Sequence, residues 1–112
     1  MNISCHCGNV RISANEPQIL TQCNCSICSR YAALWGYYPP DEPLITIGAY
    51  GTHDYCWGDQ EIDFFRCAHC GCVTHYQTKP GQPDPKIALN YGLARKQVAD
   101  IPVRFFDGAG EL

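Results

Sequence analysis

Ile62-Asp63-Phe64-Phe65-Arg66-Cys67-Ala68-His69-Cys70-Gly71-Cys72-Val73-Thr74-His75-Tyr76-Gln77 is the stretch on which the fold turns. Two runs rich in β-branched and aromatic residues, Ile62 to Arg66 and Val73 to Gln77, read as strands. Between them lies a Cys-x-x-Cys-Gly turn. Its two intervening residues let the backbone fold round a metal ion, and Gly71 accepts the left-handed conformation that completes the turn. A tetrahedral thiolate set, with ligands at about 2.3 Å, needs two more sulfurs from another segment. Cys5-His6-Cys7-Gly8 supplies them, because side chains two apart in an extended segment share a face, and Gly8 allows close backbone approach. Cys5, Cys7, Cys67 and Cys70 therefore make one closed site joining the N-terminal segment to the middle of the chain.

Working outward, short β-type runs alternate with turn signals. Val10-Arg11-Ile12-Ser13 alternates apolar and polar as a half-buried strand does. Further runs are Ile19 to Cys23, Leu34 to Tyr38 (closed by Pro39-Pro40), Leu44 to Ile47, Tyr50 to Trp57, Ile87 to Asn90 and Val103 to Phe106. Gly58-Asp59 reads as a hairpin turn into Ile62. No long helical period is sustained. Ser26 to Tyr31, with Ser26 as cap, and Leu93 to Ala99 each suit one short turn. No repeat or linker divides the 112 residues, so residues 1–112 read as a single, mostly β domain.

Composition narrows the function. Eight Lys and Arg stand against eleven Asp and Glu, a net charge of −3, without the basic cluster that displaces counterions from phosphates. Nucleic acid is not an expected partner. No apolar run approaches the ~20 residues of a membrane span, and Met1-Asn2-Ile3-Ser4 lacks the form of a secretory leader. A cytoplasmic protein is expected, and in that reducing setting nine cysteines point to metal rather than to disulfides.

The third cysteine group, Cys23-Asn24-Cys25-Ser26-Ile27-Cys28, differs from the other two. It offers three thiolates from one short loop, and three protein ligands with an open fourth position is the arrangement of catalytic rather than structural zinc. The bland alternative is a second saturated site completed by Cys56 or Cys72, although each is also suited to being a buried small hydrophobe. His6, His53, His69 and His75 are weaker candidates, and His75 suits a buried structural role better than a pocket wall. Tyr31, Trp35, Tyr37 and Tyr38 follow the loop and suit core packing better than a pocket wall. No general base is assignable from the residues alone.

With these motifs in order, the chain resembles the family of glutathione-dependent formaldehyde-activating enzymes, which also includes the centromere protein V domain. The matching elements are Cys5-His6-Cys7-Gly8-Asn9-Val10, Cys23-Asn24-Cys25-Ser26-Ile27-Cys28, Phe65-Arg66-Cys67-Ala68-His69-Cys70-Gly71 and the tail Val103-Arg104-Phe105-Phe106-Asp107-Gly108-Ala109. The resemblance implies a β-tent fold of packed antiparallel sheets, shared with a Rab exchange factor, and two zinc ions per chain. Cys5, Cys7, Cys67 and Cys70 would hold the structural ion, and Cys23, Cys25 and Cys28 the catalytic one. It implies carbon–sulfur lyase activity, in which glutathione and formaldehyde combine reversibly as S-hydroxymethylglutathione. The chain departs from the family at Asn90-Tyr91-Gly92, where Gly92 stands in place of a frequent Arg.

The expected chemistry follows from the thiolates. A thiol entering the open position would arrive as thiolate, because metal coordination lowers its pKa. Three anionic sulfurs temper the ion as a Lewis acid, which suits holding a thiolate better than making hydroxide. A hydrolase would need a base that the sequence does not reveal. The rival expectation is a non-catalytic zinc module that binds a partner protein through an exposed aromatic patch around Trp35 to Tyr38.

Overall fold

Val10 and Ile12 are buried while Arg11 and Ser13 face outward, so the alternation in this segment does produce a half-buried strand. The computed structural model describes residues 1–57 and 62–108, and the expected Gly58-Asp59 turn lies outside the described residues. Among the described residues ten strands form: β1 (Asn2–Ser4), β2 (Val10–Ser13), β3 (Leu20–Cys23), β4 (Trp35–Tyr38), β5 (Leu44–Ile47), β6 (Thr52–Trp57), β7 (Ile62–Cys67), β8 (Val73–Thr78), β9 (Ile87–Asn90) and β10 (Val103–Phe106). The chain is mostly β, as its residues imply. Among the described residues no helix is long and apolar enough to cross a membrane.

The strands divide into a three-stranded sheet, β1-β2-β5, and a seven-stranded sheet, β10-β3-β4-β9-β8-β7-β6. Pairing is antiparallel except that β10 lies parallel to β3, with Phe106 opposite Cys23. Ile3, Val10 and Ile12 of the small sheet pack with Leu20, Tyr38, Ile87, Leu89 and Tyr91 in the main core. A second buried cluster on the large sheet contains Cys23, Cys25, Cys28, Trp35, Phe64, Tyr76 and Ala88. Each sheet thus brings its apolar side chains to a partner layer rather than to water.

Three local expectations need correction. β1 was not foreseen; it is three residues long and owes its strand state to pairing with β2. Helix α1 (Ser26–Tyr31) is capped by Cys25, not Ser26, because the Cys25 sulfur accepts the Cys28 N–H. The second helical turn is a 3₁₀ helix, Tyr91–Ala94, which begins earlier than Leu93. Asn90 Oδ1 caps it by accepting from Gly92 N at 2.9 Å, and Asn90 Nδ2 donates to the Val73 carbonyl at 2.8 Å. A Cβ on residue 92 would stand 2.8 Å from that Asn90 oxygen, so this cap and a larger side chain at Gly92 compete for the same space.

His75 has the structural place expected of it. It is 2% exposed, stacked on Phe65 at 4.7 Å, and bonded through Nδ1 to Thr74 Oγ1 at 2.8 Å. Burial brings its pKa down from the ordinary 6.5 to about 4. Between those values the unfolded chain takes up a proton that the folded one refuses, so stability present above pH 6.5 is lost as the pH falls toward 4. At pH 5 the loss is about 2 kcal/mol. Urea unfolding of the metal-loaded protein should show wild type losing about that much more than His75→Gln between pH 7 and pH 5. Equal losses would refute this.

Candidate metal centres

The first centre forms where the two sheets meet. Cys5 and Cys7 occupy the turn between β1 and β2, while Cys67 ends β7 and Cys70 lies in the turn to β8. Both turns finish on glycines in the left-handed region, Gly8 at φ 82° and Gly71 at φ 80°. A Cβ at either position would meet nothing within 4 Å, so the requirement there is conformational rather than steric.

The four sulfurs lie within 4.8 Å of one another. Cys5 and Cys7 Sγ are 3.7 Å apart, and Cys7 and Cys67 Sγ 3.6 Å. A tetrahedron with metal–sulfur bonds of about 2.3 Å has edges of about 3.8 Å, so the donor set fits a tetrahedral ion. All nine cysteines are free thiols, which excludes the disulfide alternative in this structure.

Backbone and side-chain N–H groups point at these sulfurs. Cys5 Sγ accepts from Val10 N at 3.3 Å; Cys67 Sγ accepts from His69 N and Cys70 N at 3.4 Å and from Asn9 Nδ2 at 3.5 Å. Such donors stabilise thiolate over thiol. Burial opposes ionisation of Cys70, but the Cys72 and Cys7 amides and the Cys5 and Cys67 thiols bring it down to about 5. Asn9 also donates to the Gly51 carbonyl at 3.0 Å and accepts from Tyr50 N at 3.2 Å, which ties the loop before β6 to the centre. Sequence reading quoted Asn9 but gave it no role.

The second centre is built at the end of β3. Cys23 is its last residue, Cys25 the helix cap and Cys28 sits in the first turn of α1. All three are buried and their sulfurs lie within 4.8 Å of one another. Among the described residues no fourth Cys, His, Asp or Glu joins them. Cys72 lies instead beside Cys70 and Cys5 of the first centre, and Cys56 lies among Asp63, Asp54 and Lys79. His69 is stacked on Tyr50 at 4.1 Å. The alternative of a second site completed by Cys56 or Cys72 is therefore absent.

Cys25 collects the charge of this group. Burial pushes its thiol up, but the Cys28 amide, the Cys28 and Cys23 thiols and the Ile27 amide bring it below the ordinary range. Burial pushes the Cys28 thiol up, and the neighbouring Cys25 thiol adds to that. The indole Nε1 of Trp35 is buried and has no hydrogen-bond partner among the described residues. A buried donor left without an acceptor is costly, and Trp35 packs in the same buried cluster as the three sulfurs.

One wall was not legible in the sequence. Gly108, after β10, is buried against the cluster: a Cβ there would lie 2.6 Å from Cys23 Sγ and 3.2 Å from Cys25 Cβ. The segment is pinned by Asn24 N donating to the Phe106 carbonyl at 3.3 Å. Gly108→Ala should therefore lower metal affinity at the second centre by about 10- to 100-fold while sparing the first. Competition with a chromogenic chelator, resolving the two ions, measures this; unchanged affinity at the weaker site would refute it.

The remaining surroundings are aromatic and cationic. Trp35 packs edge-on to Tyr76 at 4.8 Å, Phe64 lies 5.3 Å from Tyr76, and Tyr31 lies 5.5 Å from Phe64. Lys86 Nζ stands 5.2 Å from the Tyr37 ring centroid, and Arg104 Nε donates to Thr21 Oγ1 at 2.9 Å. Among the described residues the one ion pair is Lys79–Asp63, so Arg66, Lys86 and Arg104 have no carboxylate partner.

No protein-family model matches the chain, and no curated protein matches it. Among solved structures, it is similar to a Rhodobacter sphaeroides protein whose crystal structure was determined as a structural genomics target. The TM-score is 0.73 and the identity 24%, over 93% of this chain and 100% of that one. At that identity the likeness establishes a shared architecture.

Proposed function

We propose that both centres hold zinc and that the protein is a carbon–sulfur lyase of the glutathione-dependent formaldehyde-activating type, acting on a thiol adduct at Cys23, Cys25 and Cys28. The observation that carries this reading is the contrast between the centres: four sulfurs in one, three in the other with no fourth protein ligand among the described residues. All-thiolate tetrahedral sites suit zinc, and a three-ligand site leaves a position for an exogenous donor. A zinc ion there supplies a positive centre that favours a substrate thiol in its thiolate form.

The chain's own groups serve that chemistry. The Cys25 sulfur accepts the Cys28 N–H at 3.4 Å, and its thiol is drawn below the ordinary range, which favours the thiolate that a metal ion would bind. Trp35 packs in the buried cluster that holds the three sulfurs. Gly108 and the aromatic rings exclude water from one side. Arg104 and Lys86 offer positive charge to the carboxylates of a thiol such as glutathione.

The partner-binding alternative loses the feature that would have favoured it. Trp35 and Tyr38 are buried, so no aromatic patch spans Trp35 to Tyr38 on the surface. Its remaining support is Phe105 on the outer edge strand, 80% exposed.

Cobalt substitution tests the lyase reading. Two ions per chain should bind, and titration with glutathione should change the sulfur-to-cobalt absorption of one of them. Exchange NMR with ¹³C-formaldehyde should then show adduct formation faster than in buffer. Two ions indifferent to thiols would overturn the reading.

A further inference from the structure

β10 closes one end of the seven-stranded sheet, and among the described residues no strand pairs with its outer edge. We propose that this edge pairs with β10 of a second copy of the chain, antiparallel about a two-fold axis between the two Phe105 residues, to give a symmetric dimer. The pairing does not depend on the lyase reading.

The ladder to β3 decides which backbone groups β10 can offer. Val103 lies opposite Leu20 and Phe105 opposite Gln22, in parallel register. Leu20 N donates to the Pro102 carbonyl at 2.9 Å, and Asn24 N to the Phe106 carbonyl at 3.3 Å. Alternate residues of a strand turn their N–H and C=O to the same neighbour, so Pro102, Arg104 and Phe106 serve β3. Val103 and Phe105 turn theirs outward, and such a row is a template for another strand. An axis between the two Phe105 residues sets the N–H of each against the carbonyl of the other. The edge is thus its own complement.

The side chains fit the same axis. Val103 is 40% exposed and Phe105 80%, although they continue the face on which Leu20 enters the main core. Pairing lays one Phe105 ring beside the other. On the opposite face it sets Arg104 against Phe106 of the second copy, a cation beside an aromatic ring. An axis one residue earlier would oppose Arg104 to Arg104 and would need backbone groups already committed to β3.

Charge separates β10 from the other end of the sheet. Natural edges are guarded against pairing by charged side chains. β6 is guarded in this way, with His53 and Asp54 exposed. The one charged side chain of β10, Arg104, is instead held by Thr21 Oγ1 of β3 at 2.9 Å. Two-fold pairing uses the β10 edge of both copies and leaves the two guarded β6 edges outermost, so association stops at two.

Sedimentation velocity of the metal-loaded protein from about 1 μM to about 1 mM, the range of a modest interface, tests the proposal. The mass should rise toward twice the 12.5 kDa of one chain. Over the same range the Phe105 amide should exchange with solvent progressively more slowly, while the Arg104 amide, bonded within the chain, should not change. Phe105→Lys sets two cations side by side and should weaken the dimer by about 100-fold or more, whereas Tyr55→Lys on β6 should leave it unaltered. Wild type that stays monomeric throughout, a dimer that Phe105→Lys leaves intact, or growth into longer assemblies would overturn the proposal. So would a Phe105 amide whose exchange ignores concentration, whatever the variants do.

Discussion

Cys67→Ser should abolish the folded domain at 37 °C, and a tight chelator acting on wild type should have the same effect. Cys67 is 1% exposed and accepts three N–H donors, from Asn9, His69 and Cys70. It ends a strand of the large sheet, and through Cys5 and Cys7 the centre fastens the small sheet to it. A three-stranded sheet of strands three and four residues long has little stability by itself. Structural zinc contributes on the order of 10 kcal/mol, comparable with the ~5–15 kcal/mol that an entire small domain has. Amide NMR dispersion and far-UV circular dichroism before and after chelation measure the outcome. A chelated protein that keeps its melting temperature within a few degrees would remove the structural role of this centre.

Cys28→Ala should have the opposite profile: the fold is expected to survive and the proposed chemistry to be lost. Cys28 lies in a cluster that also includes Trp35, Phe64, Tyr76 and Ala88, whose strands are joined by their own hydrogen-bond ladders. Removing one sulfur from that packing costs about 1 kcal/mol as a small cavity. It also leaves two protein ligands where three stood. Metal content should fall from two ions to one, and adduct formation by about 1,000-fold or more, equivalent to roughly 4 kcal/mol of barrier. Elemental analysis and exchange NMR read the two quantities. If Cys28→Ala unfolds as Cys67→Ser does, the functional distinction between the centres falls.

Much of this was readable along the chain because it is local. Val10–Ser13, Leu44–Ile47, Ile87–Asn90 and Val103–Phe106 occupy the strands expected of them. What escaped reading depended on distant partners. β1 is a strand because β2 pairs with it, and Ser26 lost the capping role because the Cys25 sulfur is held where the Cys28 N–H can reach it. Tyr37 and Tyr38 are adjacent and chemically identical, yet one meets the Tyr76 ring and the other enters the main core, since successive side chains of a strand point to opposite faces.

By itself the sequence determined the thiolate groups, their turns and the strand-rich character of the chain. Cysteines one to three residues apart, followed by glycine, are constrained by bond geometry before any tertiary contact forms. Only the tertiary structure decided that the three sulfurs gain no fourth protein ligand among the described residues, that Gly108 lies against Cys23, and that the Trp35, Tyr76 and Tyr37 rings meet in turn. Those relations join residues tens of positions apart, and sheet order and register, rather than local preference, bring them together.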